Sequence, residues 1–390
     1  MTTQQAVLRA LPLINAKRQY GGMRIVIDNV SVDDSEVRNT LALMAETDAA
    51  AQNPLIVAFE CKRLPASLHR WEPPANTYPE FHGEWLSLPV ARDILSNGKY
   101  PLWCLAGATG APLDPALSKS LVYTVANAAS ENSFGTSSSL PAGKSRIHTG
   151  VRSHADADAV FAKGGQWIAG WPVAANTAPP SIKCRPSEGR ESVLRLLALV
   201  QANADICELD AVLRRDAALA FKLLRFINSA ANGLSVQVQS LSHAVAILGY
   251  RRLARWLAVL AMASNADANL QPVMGISLRR AYFMERIGKL LFDEADPDEL
   301  FITGLFSLLN VIFAMPFGEL LEKMHLPDAV ADSLLARGEP YGALLSLAET
   351  IEGDDAAAIR DSMGMLGLSA ADVNRALLMA IRDTDLVKME

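Results

Sequence analysis

Residues 216–256 read DAALAFKLLRFINSAANGLSVQVQSLSHAVAILGYRRLARW, and this stretch decides the class of the C-terminal half. Leu219, Phe221, Leu223, Leu224, Phe226 and Ile227 put apolar groups on nearly every side of one helix. A surface helix carries a single apolar stripe, so this one is expected inside a core. Asn232-Gly233 supplies a left-handed stop, and Ser240 or Ser242 can cap the next helix by accepting from its free N–H groups. Gly249 closes that second helix. A third follows, with Leu253, Trp256, Leu257 and Leu260 at helical spacing. Its arginines, Arg251, Arg252 and Arg255, form a solvated face whose stems lie over the core.

Outward from this stretch, residues 192–387 read as helix after helix, broken by Gly, Pro and Asp, which predicts an all-α domain. Upstream, AANTAPPSIKCRPSEGR (174–190) concentrates Pro, Ser, Gly and charge as a linker does. Before it, the β-prone runs MRIVID (23–28), LIVAFE (55–60), PLWCLA (101–106) and SLVYTVA (120–126) alternate with helical stretches at 33–46, 89–95 and 156–163. That alternation predicts a mainly parallel sheet with crossovers, open or closed into a barrel. The expected division is therefore an α/β domain at 1–173, a linker at 174–190 and a helical domain at 191–390. Residues 131–144, ENSFGTSSSLPAGK, read as an exposed loop; the spacing from Gly135 to Gly143 is too long for a phosphate-cradling loop.

A chain of 390 residues exceeds the size at which single cores split, and half of it is apolar. A net charge of −6 offers no global attraction to nucleic acid or to an anionic membrane surface. The four cysteines Cys61, Cys104, Cys184 and Cys207 form no C-x-x-C pair and suit reduced thiols. No apolar run reaches the roughly 18–20 residues needed to span a bilayer, and the first twenty residues lack a signal-peptide core. These features lead to the expectation of a cytoplasmic protein.

The 216–256 stretch resembles the core of the HDOD domain family. The resemblance rests on Asp216 to Leu219, on the run ending in Asn228-Ser229, on the segment from Ser240 to Ala246 that includes His243, and on Leu248-Gly249 and Trp256 beyond. Asn228 and Ser229 are read as structural, bonding backbone groups where the helix turns. His243 is read as first-turn capping or packing, and Trp256 as an indole on a core-facing helix.

The first half resembles the EAL domain, the TIM-barrel fold of cyclic-di-GMP phosphodiesterases. Its anchors are RALPLINAKRQYGGMRIVID (9–28), PPANTYPEF (73–81), KYPLWCLAG (99–107) and VRSHADADAVFAKGGQWIAGWP (151–172). The order EAL then HDOD is a known arrangement in bacterial signalling proteins. About 170 residues is short for eight strand-helix units, which take around 250, so the sequence leaves open whether all eight are present or some helices or strands are trimmed or missing.

EAL activity depends on carboxylates at strand ends that hold divalent metals. At the matching positions this chain carries Arg24 for the signature Glu, Ala106-Gly107 for an Asp pair, Arg152 for a Glu, and Ala169 for a Gln. Only Glu80 falls where a ligand belongs, and it reads as an ordinary strand-end carboxylate, as does Glu60. HDOD domains resemble the HD phosphohydrolases, whose His-Asp doublet would align with Ser307-Leu308. The C-terminal Asp354, Asp355 and Asp372 read as capping and solubility features.

These substitutions imply no catalytic residue, no metal site and no cofactor, hence a protein that is not an enzyme. The resulting expectation is a signalling scaffold that works by binding other signalling proteins, with an apolar face near residues 313–317 as one contact candidate. The alternative is a cyclic-di-GMP receptor with Arg24 or Arg152 as phosphate contacts, since arginine forks suit phosphate oxygens.

Overall fold

The computed structural model describes most of residues 6–173 and 268–387, with scattered positions between 195 and 259. Residues 1–5, 29–33, 129–143, 174–194, 216–237, 260–267 and some shorter stretches lie outside the description. The chain divides into two compact units, Met1–Ala174 with Glu349–Asp385, and Ala175–Ala348 with Leu386–Glu390.

Eight strands build the first unit and close into a barrel in sequence order: β1 (Val7–Asn15), β2 (Tyr20–Asp28), β3 (Leu55–Glu60), β4 (Thr77–His82), β5 (Trp103–Ala106), β6 (Leu121–Asn127), β7 (Ser145–Thr149) and β8 (Trp167–Ala169). Strands β2 to β8 run parallel, whereas β1 is antiparallel to both β2 and β8. All eight strands are therefore present.

The saving in length comes from the crossovers. Helices α1 (Asp34–Thr47), α2 (Pro89–Ser96), α3 (Pro115–Ser120) and α4 (His154–Ala162) are the crossover helices among the described residues. Between β3 and β4 there is only a 3-10 turn at Ala66–His69. Between β4 and β5, the turn Gly83–Ser87 precedes the eight-residue α2. Large aromatic rings cover the outer sheet there. Trp85 packs on Phe59 and Phe81, with centroids 6.4 and 6.2 Å apart, and Tyr100 and Trp103 approach Phe81 at 5.8 and 5.9 Å. Each such side chain buries about 150–250 Å², so a few rings on a short loop cover sheet that a helix would otherwise cover.

The barrel interior follows the two-residue period of a strand. Leu11 and Leu13 of β1, Val26 of β2, Ile56 and Ala58 of β3, Cys104 and Ala106 of β5, Val125, Ile147 and Ala169 form one apolar cluster. Gly22, with φ +143°, lets β2 pass Pro54, whose carbonyl oxygen a Cβ would meet at 2.5 Å. The Met23 N–H donates to that same oxygen at 2.9 Å.

Strand β1 poses a problem that its hairpin cannot solve. A four-residue connection to β2 provides no crossover helix, and β8 pairs only with Leu13 to Asn15. The other half of β1 thus has a bare edge and an apolar outer face, yet Leu8 and Ala10 are buried. Helices α12 (Ala356–Leu366) and α13 (Ala370–Leu386) solve it, arriving from the far end of the chain. The Leu8 N–H donates to Asn374 Oδ1 at 3.0 Å, and Asn374 Nδ2 donates to the Ala6 carbonyl at 2.8 Å. The Ala10 N–H donates to the Ile351 carbonyl at 3.2 Å. Residues 349–385 were expected within the helical domain; here they group with the barrel.

The described helices of the second unit are α5 (Ile206–Arg215), α6 (Gln271–Leu291), α7 (Pro297–Phe306), α8 (Leu309–Phe313), α9 (Phe317–Leu321), α10 (Asp328–Ala336) and α11 (Gly342–Thr350), the last running across the boundary at residue 348. Gly304 brings α7 against α6: a Cβ there would sit 2.6 Å from the Ala281 nitrogen. Asp296 caps α7 by accepting from the Asp298 N–H, with Pro297 in its first turn. No single described helix is long and apolar enough to cross a membrane. The one bent pair that passes by length and composition, α12 with α13, is the pair lying on β1.

Asn374 is 2% exposed, and both of its bonds serve backbone groups with no other route to water. Replacing it strands two buried groups, each costing roughly 1–3 kcal/mol. Asn374→Ala is expected to destabilise the protein by about 2–5 kcal/mol, read as a lower urea midpoint.

Candidate functional site

In parallel barrels, chemistry gathers at the C-terminal strand ends, where side chains from several strands converge. Here that mouth holds a charged cluster at β1 to β3. Asp28 ends β2, Glu60 ends β3, and Arg9 reaches them from the antiparallel β1. Arg9 is 6% exposed and contacts Glu60 at 2.9 Å, Asp354 at 3.5 Å and Asp28 at 4.0 Å. Arg360, on α12, donates to Asp28 Oδ1 at 2.9 Å and to the Asp28 carbonyl at 3.1 Å. Around the rest of the rim the strands end at His82, Ala106, Asn127, Thr149 and Ala169, and Gly107 has φ +73°.

Deeper in the barrel, the EAL-like ligand positions Arg24 and Glu80 meet. Arg24 Nε donates to Glu80 Oε2 at 2.8 Å and Arg24 Nη2 to Oε1 at 2.7 Å, a two-pronged pair. Glu80 is fully buried, which corrects its reading as an ordinary strand-end carboxylate. Burial alone would lower the Arg24 pKa, but the charge and hydrogen bonds of Glu80 outweigh it and hold the guanidinium above its ordinary range. Both Glu80 oxygens are thus engaged by a fixed cation where a metal would otherwise draw on them. Cys104 lies beside the pair. Burial first, then the Glu80 charge, pushes its thiol well above the ordinary value of 9.0.

Arg152 follows β7 on the mouth side and is exposed. Its backbone N–H donates to Asp156 at 3.3 Å where α4 begins, and Ser153 caps that helix by accepting from the Asp156 N–H. The two arginines named as phosphate contacts therefore differ: Arg24 is largely buried and paired with Glu80, whereas Arg152 faces solvent. Glu60 is the carboxylate that does sit at a strand end, largely exposed and tied to Arg9.

In the helical unit, Ser307 and Leu308 are both buried. The Ser307 hydroxyl donates to the Gly304 carbonyl at 2.7 Å and accepts from Arg280 Nη1 at 3.1 Å. A buried guanidinium thus stands at this second metal-site alignment too. The His243 N–H donates to Ser240 Oγ at 3.1 Å, and Gly249 has φ +72°. Asp216, Asn228, Ser229 and Trp256 lie outside the described residues, as do Arg251, Arg252, Arg255 and residues 131–143. Near 313–317, Phe313 is buried and Phe317 half-buried. Asp355 caps α12, accepting from the Ala357 and Ala358 N–H groups, and Asp372 accepts from the Ser369 hydroxyl at 2.6 Å. Among the described residues no group of three or more His, Cys, Asp or Glu could hold a metal ion.

Sequence reasoning missed Arg9, Asp28, Arg360 and Asn374. The available signals were a lone Asn inside the apolar spacing of DVNRALLMAI (372–381) and a lone Arg opening a β-prone run.

With this geometry in place, the relatives can be named. Residues 190–332 match the HDOD domain family. The chain carries an HDOD domain. It is 28% identical over 182 residues to the cyclic di-GMP phosphodiesterase CdgJ of Vibrio cholerae, covering 47% of this chain and 42% of that protein. It is 26% identical over 146 residues to YuxH of Bacillus subtilis, an uncharacterized protein, covering 37% and 36%. The chain thus matches well under half the length of either relative. A solved Shewanella amazonensis protein described as a phosphohydrolase overlaps 51% of the chain with a TM-score of 0.38 and 15% identity, and a cyclic-di-GMP-bound EAL protein of Vibrio cholerae overlaps 43% with a TM-score of 0.29 and 14% identity. Overlaps this loose establish no shared fold.

The expectation that the protein is not an enzyme is corrected by these relatives, one of which bears the name of a phosphodiesterase. Substituted ligand positions describe a site's geometry; they do not by themselves decide its activity.

Two outcomes follow from the buried pair. Removing one partner leaves an uncompensated charge, so Arg24→Ala is expected to cost about 3–5 kcal/mol, whereas Arg24→Met combined with Glu80→Leu should be near neutral or stabilising in urea unfolding. For Cys104, burial favours the neutral thiol. Its contribution to stability is complete below pH 9.0 and is lost as pH rises beyond. At pH 8 iodoacetamide should modify exposed Cys207 promptly and reach Cys104 only on unfolding, as peptide mass mapping would show.

Proposed function

We propose that this protein is a bacterial signalling protein tied to cyclic di-GMP, in which the barrel mouth meets the nucleotide and the HDOD domain contacts other signalling proteins. What carries the reading is an exposed arginine, Arg152, on the loop after β7 at the start of a helix, in a chain related to a cyclic di-GMP phosphodiesterase. Loops after the seventh and eighth strands of such barrels commonly bind phosphate, aided by a helix N-terminus. Arg152 can offer its fork to a phosphodiester without breaking an existing ion pair, and Arg24 cannot. The EAL-like domain, in this reading, is a divergent member of its family.

Calorimetric titration with cyclic di-GMP in Mg²⁺ or Mn²⁺, followed by chromatography of the nucleotide, tests this. Micromolar binding is expected, weakened at least tenfold by Arg152→Ala. Linear dinucleotide in the eluate would assign turnover to the barrel, and absence of both heat and product would sink the nucleotide reading.

A further inference from the structure

The path of the chain has a mechanical meaning independent of any ligand. The helical unit Ala175–Ala348 lies in sequence between the eight strands and the segment Glu349–Asp385 that completes them, so it is inserted into the barrel domain, not appended to it. The passage from one unit to the other is a single helix. Leu344, Leu345, Leu347 and Ala348 of α11 are buried and belong to the helical unit, and three residues after Ala348 the Ile351 carbonyl accepts from the Ala10 N–H of β1. From there the segment continues to Arg360, bonded to Asp28 at the mouth, and to Asn374, bonded to Ala6 and Leu8.

We propose that Glu349–Asp385 is the transmission element between the two domains: seated on β1 it completes the barrel, and the state of the helical unit sets how firmly it seats. The reason is one of effective concentration. With the helical unit folded, both ends of the insertion are held and α11 delivers Ile351 to the edge of β1. A loosened helical unit turns the insertion into a long flexible loop, and closing such a loop costs entropy. The segment then spends more time off β1, leaving the Leu8 and Ala10 N–H groups open to water. Anything that tightens or loosens the HDOD domain would in this way act on the barrel mouth through Arg360. Linkage makes the effect reciprocal: unseating the segment must loosen α11 by the same factor.

Amide hydrogen exchange on the full chain tests this. Leu344→Ala removes a buried side chain within the helical unit. It is expected to speed exchange of the Leu8 and Ala10 amides at least tenfold, with a smaller change at Val57 in the middle of β3. Asn374→Ala is expected to speed exchange of the Leu345 amide, which donates to the Tyr341 carbonyl just before α11. Should Leu344→Ala fail to fold, Leu344→Val gives the milder perturbation and the same comparison. The proposal is overturned if α11 amides accelerate while Leu8 and Ala10 stay at wild-type rates, for then the segment is only a piece of the barrel.

Discussion

A barrel escapes the hazard of open strand edges only if each strand is paired along its length. In this protein that constraint falls on β1. Its partner β8 is three residues long, so the N–H groups of Leu8 and Ala10 need acceptors from elsewhere, and Asn374 and Ile351 supply them. Buried backbone groups without partners are too costly for the arrangement to be incidental. The placement of α12 and α13, the capping of the mouth by Arg360 and the insertion of the helical unit all follow from it.

Charge inside the barrel obeys the same accounting. Arg24 and Glu80 are tolerable in the interior because they satisfy one another through two short bonds; either alone would be strongly destabilising. The mouth repeats the pattern on a larger scale, with Arg9 and Arg360 set among Asp28, Glu60 and Asp354. Arg280, against Ser307, is the counterpart in the helical unit. Arginine is suited to these places because its charge is permanent and its donors are spread over a rigid plane. In the barrel interior Arg24 and Glu80 satisfy one another, and Arg152 is an exposed cation after β7.

Much of this was legible in the sequence wherever the signal was local. LIVAFE coincides with β3, and the stretch 89–95 with α2 to within a residue, because strand alternation and a proline-started helix are written in adjacent residues. Strands β1, β4, β7 and β8 were not named; SRIHT and WIA in β7 and β8 offer too few residues for a period to register. The Arg24 and Glu80 positions were singled out, but their pairing was not, because it depends on the register of two strands that flank β3, 56 residues apart. The contacts of Asn374 with Ala6 and Leu8 span more than 360 residues and leave no periodic trace. The helical domain was expected to continue to residue 390 because helical spacing continues, and periodicity cannot say which core a helix joins.

The account therefore turns on whether the barrel needs the segment that follows the helical unit. The most direct measurement is urea unfolding of a chain ended at Ala348, followed by the fluorescence of Trp85 and Trp103 in the barrel. The account predicts that the cooperative barrel transition is lost or shifts to much lower urea, with β1 exposed and the protein prone to associate. A barrel transition at the full-length midpoint would contradict it.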